Sequence, residues 1–235
     1  MEHSAEHSRT VALIGEEGFS RLASARVAVF GIGGVGGHLA EALARAGVGH
    51  LHLVDKDTVS LSNINRQAVA LHSTVGLPKV EVMAARIRDI NPACTVETSV
   101  CFYLPENARE FDLSDYDFVA DCVDTVAAKL ELAVRCEEAG TPLIAAMGAG
   151  NKLHPESFRI SDISKTETDP LARVMRRELK KRGVKRLLCV WSDEPPAPAR
   201  VTGEDGRPAP ASIAFTPSAM GLVMAGEMVR RLAGV

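Results

Sequence analysis

Apolar residues in this chain fall alternately into short consecutive runs and into stretches with helical spacing. Arg26–Phe30 and His50–Val54 are such runs, and residues 37–46 between them carry apolar positions on one helical face, which predicts a strand–helix–strand unit. The alternation then repeats. A helix opens near Lys79 with Val80, Met83, Ala84, Ile87 and Ile90 on one face. Asn91-Pro92 ends it, because the residue before a proline is driven out of the helical region. Strands are predicted over residues 95–102, 118–122 and 142–146, with an Ala/Leu-rich helix over residues 127–139 and a first short helix over residues 11–23. This order predicts an α/β fold, a Rossmann-like doubly wound sheet.

From Asn151 onward the pattern loosens. A strand at Phe158–Asp162, a basic helix over residues 171–182, a strand over residues 186–191 and a Pro/Gly-rich loop over residues 193–210 lead to a closing helix from Pro217. No internal repeat interrupts the chain, and 235 residues suffice for one core. Residues 1–235 are therefore read as a single domain, with residues 151–235 its C-terminal part.

Composition then narrows the partners. A formal net charge of −3 and an aromatic content of 4% exclude a uniformly basic nucleic-acid binder and a base-stacking RNA platform, so no DNA partner is expected. Cys94, Cys101, Cys122, Cys136 and Cys189 are odd in number and lack C-x-x-C spacing, a pattern of reduced thiols in a cytoplasmic protein. The first ten residues hold acids and no apolar run, so no signal peptide is expected. The apolar segment 214–235 is broken by Glu227, Arg230 and Arg231, which favours a packing helix over a membrane span.

Candidate chemistry begins at Gly31-Ile32-Gly33-Gly34-Val35-Gly36-Gly37, between the first strand and the helix after it. Glycines there permit positive φ and let backbone N–H groups approach a phosphate, which the positive end of the following helix also attracts. Asp55, at the end of the second strand, stands where an acid bonds ribose hydroxyls. The same spacing serves nicotinamide dinucleotides, so the loop alone leaves a redox cofactor and ATP both open. The run from Asp55 to Gln67 and the Lys79 that follows it tip the balance. Asp57, Asn63, Arg66, Gln67 and Lys79 put two cations and two amides beside the phosphate loop, the partners that a triphosphate needs.

Three strings carry a resemblance to a known family: G-x-G-G-x-G, L-x-x-V-D-x-D-x-V-x-x-S-N-x-N-R-Q ending at Gln67, and T-V-G-x-P-K ending at Lys79. With I-N-P at Ile90 to Pro92 and D-x-x-D from Asp121 to Asp124, they resemble the adenylating domain of the ubiquitin-activating-enzyme-like superfamily. That resemblance implies ATP, with Gly31, Gly33, Gly34 and Gly36 lining its phosphates and Asp55 holding its ribose. It implies triphosphate contacts from Asn63, Arg66 and Lys79, and Asp124 near Mg²⁺ or the reacting phosphate. On the residues alone, the plainer alternative is that Asp124 caps the next helix. The segment Arg9 to Gly15 resembles one whose arginine reaches the nucleotide of a partner subunit, which makes Arg9 a catalytic finger in a homodimer. As a plain sequence feature, Arg9 is a solvated residue near a terminus.

Members of that superfamily that activate sulfur-carrier proteins usually hold two C-x-x-C zinc pairs and often a catalytic cysteine. This chain lacks the pairs, and Cys189 lies in the apolar string L-L-C-V-W, where a buried structural thiol is expected. The strings from Asp162 to Arg173 and V-W-S-D-E-P-P instead resemble a branch that cyclises a threonylcarbamoyl-modified adenosine beside the tRNA anticodon. That implies tRNA as substrate, ATP-dependent dehydration through an adenylated carboxylate, and residues 151–235 facing the RNA. Lys165, Arg173, Arg176, Arg177 and Lys180 would follow its phosphates. As ordinary features, these residues form a solvated helix face, and Lys165, Thr166 and Asp169 form a turn and cap before Pro170. The resemblance leaves open a monovalent cation, Na⁺ or K⁺, and a sulfur-transfer partner protein. The rival readings are activation of a sulfur-carrier or ubiquitin-like C-terminus, an NAD-dependent oxidoreductase and a non-catalytic adaptor.

Overall fold

In the computed structural model, which describes residues 5–198, 200–202 and 208–235, the first apolar run forms strand β1 (Arg26–Phe30). Val27 and Val29 face one side and Ala28 and Phe30 the other, and all four are buried, as a strand covered on both faces requires. Parallel strands flank it. On one side lie β2 (His50–Val54) and then β3 (Thr95–Ser99); on the other lie β4 (Phe118–Asp121), β5 (Leu143–Ala146) and β7 (Leu188–Ser192). Strand β6 (Phe158–Asp162) closes that edge antiparallel to β7, giving the order β3-β2-β1-β4-β5-β7-β6.

Helices cover both faces, as the alternation predicts. One core joins α1 (Ser8–Ser24), α2 (Gly36–Ala46), α3 (Lys79–Ile90) and α6 (Phe215–Ala233) to the sheet, and a second joins α4 (Val126–Ala139) and α5 (Pro170–Lys181) to its other face. The apolar C-terminal segment is a packing helix. Met220, Met224 and Met228 recur at helical spacing and are fully buried, each stabilising the fold by about 1.5–3 kcal/mol through removal from water. No helix among the described residues is long and apolar enough to cross a membrane.

Three elements depart from the sequence pattern. Strand β3 stops at Ser99 instead of reaching Phe102, because its partner β2 ends at Val54 opposite Ser99 and the chain at Asp55 turns into the site; Val100 and Phe102 are exposed. Helix α1 begins earlier than expected and is kinked at Gly15, where φ is 77°. The expected loop over residues 193–210 contains a short ladder between β8 (Val201–Thr202) and β9 (Pro208–Ala209), while residues 199 and 203–207 lie outside the described residues.

Candidate nucleotide-binding site

Strand order reverses between β1 and β4, and a doubly wound sheet opens a crevice beyond the carboxyl ends of its strands at such a point. The loops leaving β1, β2 and β4 line a cleft of about 400 Å³ there. Gly31 sets how close two of them come. Its φ is 90°, and a Cβ on it would lie 2.6 Å from the Cys122 carbonyl oxygen, so only glycine lets the loop after β1 rest on the turn after β4. Asp55 ties in the third loop. Its Oδ2 accepts from the Ile32 amide at 2.6 Å and its Oδ1 from the Asp57 amide at 2.8 Å, and it still lines the cleft with lone pairs to spare for a ribose.

Gly31, Gly33, Gly34, Asp55, Asp57, Asn63, Arg66, Gln67, Lys79 and Asp124 all line this one cleft. Gly36 does not. A Cβ there would fall 1.8 Å from the Gly31 carbonyl oxygen, so this glycine lets the start of α2 pack under the loop. Arg9 lies exposed in the first turn of α1 and does not line the cleft of its own chain.

The side chains around the cleft suit an anion. Lys79 is only 5% exposed, and its Nζ donates to Asp57 Oδ2 at 2.8 Å; Asp57 is half exposed, so an entering phosphate can share the ammonium with it. Gln67 is buried with its amide nitrogen toward Gly33, and its Oε1 has no hydrogen-bond partner, an acceptor that a hydroxyl or amino group of a ligand would satisfy. Arg66 folds back, its Nη1 donating to the Ser62 carbonyl at 2.8 Å and to Asn65 Oδ1 at 2.9 Å. Asn63 Oδ1 accepts from the Ser60 amide at 3.1 Å, which fixes the turn that presents Arg66. Asp124 is exposed at the cleft and accepts from the Thr125 hydroxyl at 3.2 Å. It caps no helix: Thr125 holds the N-cap position of α4.

No cysteine in or near the cleft is poised as a nucleophile. Burial pushes the Cys122 thiol up, burial and Glu110 push Cys101 up, and burial drives the Cys189 thiol in β7 up to about 12. The far wall comes from residues that the sequence pattern did not single out. Pro210, Ala211, Ser212 and Pro217 line the cleft, held by Asn65 Nδ2 donating to the Ser212 carbonyl at 3.0 Å and the Ala211 amide donating to Asn151 Oδ1 at 2.7 Å.

Away from the cleft, α5 buries Ala172, Met175 and Leu179 and presents Arg173, Arg177 and Lys180 to solvent; Lys165 is exposed just before it. Arg176, expected in the same outward row, turns inward. Its Nη1 donates to the Thr166 carbonyl at 2.7 Å and to the Thr166 hydroxyl, because the buried turn before α5 leaves those acceptors needing a donor. Glu178 collects Arg177, Lys181 and Arg182, which hold its carboxyl down at about 2. Arg173 and Lys180 have no acidic partner among the described residues. Asp169 is structural: fully buried, it caps α5 through the Ala172 amide at 3.0 Å and binds the Gly148 amide at 2.9 Å.

A sheet with its crevice at the strand reversal, a glycine loop against the β4 turn, and lysines, an arginine and acids around one cleft define a Rossmann-like nucleotide-binding α/β protein. The chain belongs to the ThiF family, whose model matches residues 7–235. Within that family it is 46% identical, over 97% of its own length and 94% of the relative's, to a tRNA threonylcarbamoyladenosine dehydratase of Bacillus subtilis. The structure of the Escherichia coli tRNA N6-threonylcarbamoyladenosine dehydratase in complex with ATP superposes with a TM-score of 0.89 at 34% identity, covering 97% of this chain and 94% of that one. A molybdopterin-synthase adenylyltransferase of Salmonella typhimurium is 37% identical over 74% of this chain and 66% of its own length.

The buried ammonium of Lys79 gives the site its sharpest test. Lys79→Met should weaken ATP binding by about 10- to 100-fold, the loss of one charge-assisted bond of about 1.5–3 kcal/mol, with the far-ultraviolet spectrum unchanged. Calorimetric titration checks this, and unaltered affinity would remove Lys79 from the site.

Proposed function

We propose that this protein is an ATP-dependent dehydratase that converts N6-threonylcarbamoyladenosine in tRNA, beside the anticodon, into its cyclic form. The observation that carries the reading is the cleft itself, in which Asp55, Arg66, Lys79 and Asp124 converge on the glycine loop with no activated thiol nearby. The near full-length likeness to dehydratases supports it, whereas the likeness to a molybdopterin-synthase adenylyltransferase covers less of the chain.

The chemistry follows from the groups present. A carboxylate oxygen of the modified nucleoside attacks the α-phosphorus of ATP; the bond from that phosphorus to the bridging oxygen breaks and pyrophosphate leaves. The carbamoyl group of the same modification then attacks the activated carbonyl, expels AMP with the former carboxylate oxygen on its phosphate and gives up an N–H proton to solvent, so the ring closes with the nucleoside lighter by one water. The second step is intramolecular, so no enzyme nucleophile is needed. Lys79 and Arg66 neutralise charge that grows on the phosphates, and the amides of the glycine loop hold the phosphate chain in place. Among the described residues no three carboxylates, histidines or cysteines gather into a metal site. The Asp124 carboxylate, exposed at the cleft, would hold an Mg²⁺ ion brought with ATP, which would withdraw charge from the reacting phosphate.

The protein works in the cytoplasm as a homodimer, in which Arg9 of one copy reaches the α-phosphate in the cleft of the other. The outward cations Lys165, Arg173, Arg177 and Lys180 take the tRNA backbone, with residues 151–235 as the RNA-facing part of a single domain.

Incubated with ATP, Mg²⁺ and tRNA carrying threonylcarbamoyladenosine, the protein should release AMP and yield a nucleoside lighter by one water on mass spectrometry. Its KM for tRNA should rise steeply with salt. An unchanged nucleoside, with turnover on a carrier-protein C-terminus instead, refutes the reading. For the finger in trans, mixed dimers of inactive Arg9→Ala and Lys79→Ala chains should recover part of the activity, since one of their two sites is intact. Verified mixed dimers without activity exclude it.

A further inference from the structure

Beneath the cleft floor lies the most deeply buried ion pair among the described residues. Lys129, in the second turn of α4, is fully enclosed, and its Nζ donates to Asp121 Oδ1 at 3.0 Å and to the Val123 carbonyl at 3.1 Å. Asp121 Oδ1 also accepts from the Val123 amide at 3.3 Å, while Oδ2 has no partner. These bonds clamp residues 121–123, and the clamped turn does two things. It carries Asp124 as its next residue, and its Cys122 carbonyl is the surface on which Gly31 rests.

A buried ion pair is a poor way to gain stability, because desolvating both charges offsets most of their attraction, and an apolar pair of similar volume is often as stable. Its place beneath the cleft points to another role. We propose that the Lys129–Asp121 pair is a positioning device for the adenylation step, holding the turn after β4 so that Asp124 and the Gly31 loop face the same phosphate. The proposal rests on the reading of the cleft as an ATP site. Neither Lys129 nor Asp121 lines the cleft; Lys129 acts through the Val123 carbonyl, and Asp121 through the Val123 amide.

The test replaces both charges at once. Asp121→Asn with Lys129→Met keeps the volume and the acceptor for the Val123 amide, so the melting temperature should stay near that of the wild type. Turnover should fall by about 100-fold, the cost of reacting groups displaced by about an ångström. Adding Asp124→Asn separates positioning from mere structure. In the wild-type background that change should be severe, and in the paired variant it should cost little more, because Asp124 is already out of place. Calorimetry supplies a readout free of turnover. The gain in ATP affinity on adding Mg²⁺ should be clear in the wild type and largely lost in the paired variant. Independent, multiplying effects of the two changes, or full turnover by a folded paired variant, overturn the proposal. Wild-type protein that binds no ATP overturns the underlying site as well, whereas wild type that binds ATP and cyclises its substrate beside an unimpaired variant overturns the positioning role alone. Should the paired variant not fold, Asp121→Asn with Lys129→Gln, which keeps a neutral donor toward the Val123 carbonyl, enters the same cycle with the same expected coupling.

Discussion

The contact of Gly31 with the Cys122 carbonyl is the constraint on which the site depends. Two loops that leave adjacent strands β1 and β4 touch at a spacing no side chain would allow, and the cleft opens above that contact. Gly36 reinforces it from beneath by letting α2 press against the Gly31 carbonyl, and Asp55 draws in the loop after β2 through the Ile32 amide. The amides that would meet a phosphate are thus fixed before any ligand arrives. A site organised in advance loses little free energy to rearrangement when charge develops in it.

Around this frame, charge is held in pairs that a ligand can exchange. Lys79 is buried but leans on the half-exposed Asp57, and Gln67 keeps an unpartnered oxygen. The Lys129–Asp121 pair beneath is different in kind, closed to solvent and to ligand. Arg173 and Lys180 differ again, being outward on the face opposite Met175 and Leu179 and without acidic partners among the described residues. One chain with a net charge of −3 thereby separates a cleft in which acids and cations face each other from an outward row of cations on α5. The first suits a triphosphate and the second a polynucleotide.

Much of this was legible in the sequence because phosphate recognition is local. The glycine loop, Asp55 and the run to Lys79 follow two strands whose apolar runs are unambiguous, so the positions of those residues in the fold follow from topology. Side-chain direction was less legible. Helical spacing puts Arg176, four residues after Ala172 and three before Leu179, nearer the buried stripe than Arg173, but only the acceptors of the turn at Thr166 draw it inward. A glycine motif does not distinguish Gly33, which faces the cleft, from Gly36, which packs beneath it. The Lys129–Asp121 pair was missed because a lysine in an Ala/Leu-rich helix reads as a surface residue. Its one signal was a charge placed on the apolar face that α4 buries. The wall at Pro210 to Ser212 depends on contacts across the chain from Asn65 and Asn151, which no local pattern contains.

The account turns on one event, attack by the substrate carboxylate on the α-phosphorus of ATP, and that event leaves a mark on an oxygen atom. If threonylcarbamoyladenosine in tRNA carries heavy oxygen in both positions of its carboxylate, the oxygen that attacks phosphorus departs with AMP when the ring closes. Mass spectrometry of the products should therefore find one heavy oxygen in AMP and one in the cyclic nucleoside. AMP free of label, with cyclisation still taking place, would contradict carboxylate adenylation and the role assigned to the cleft.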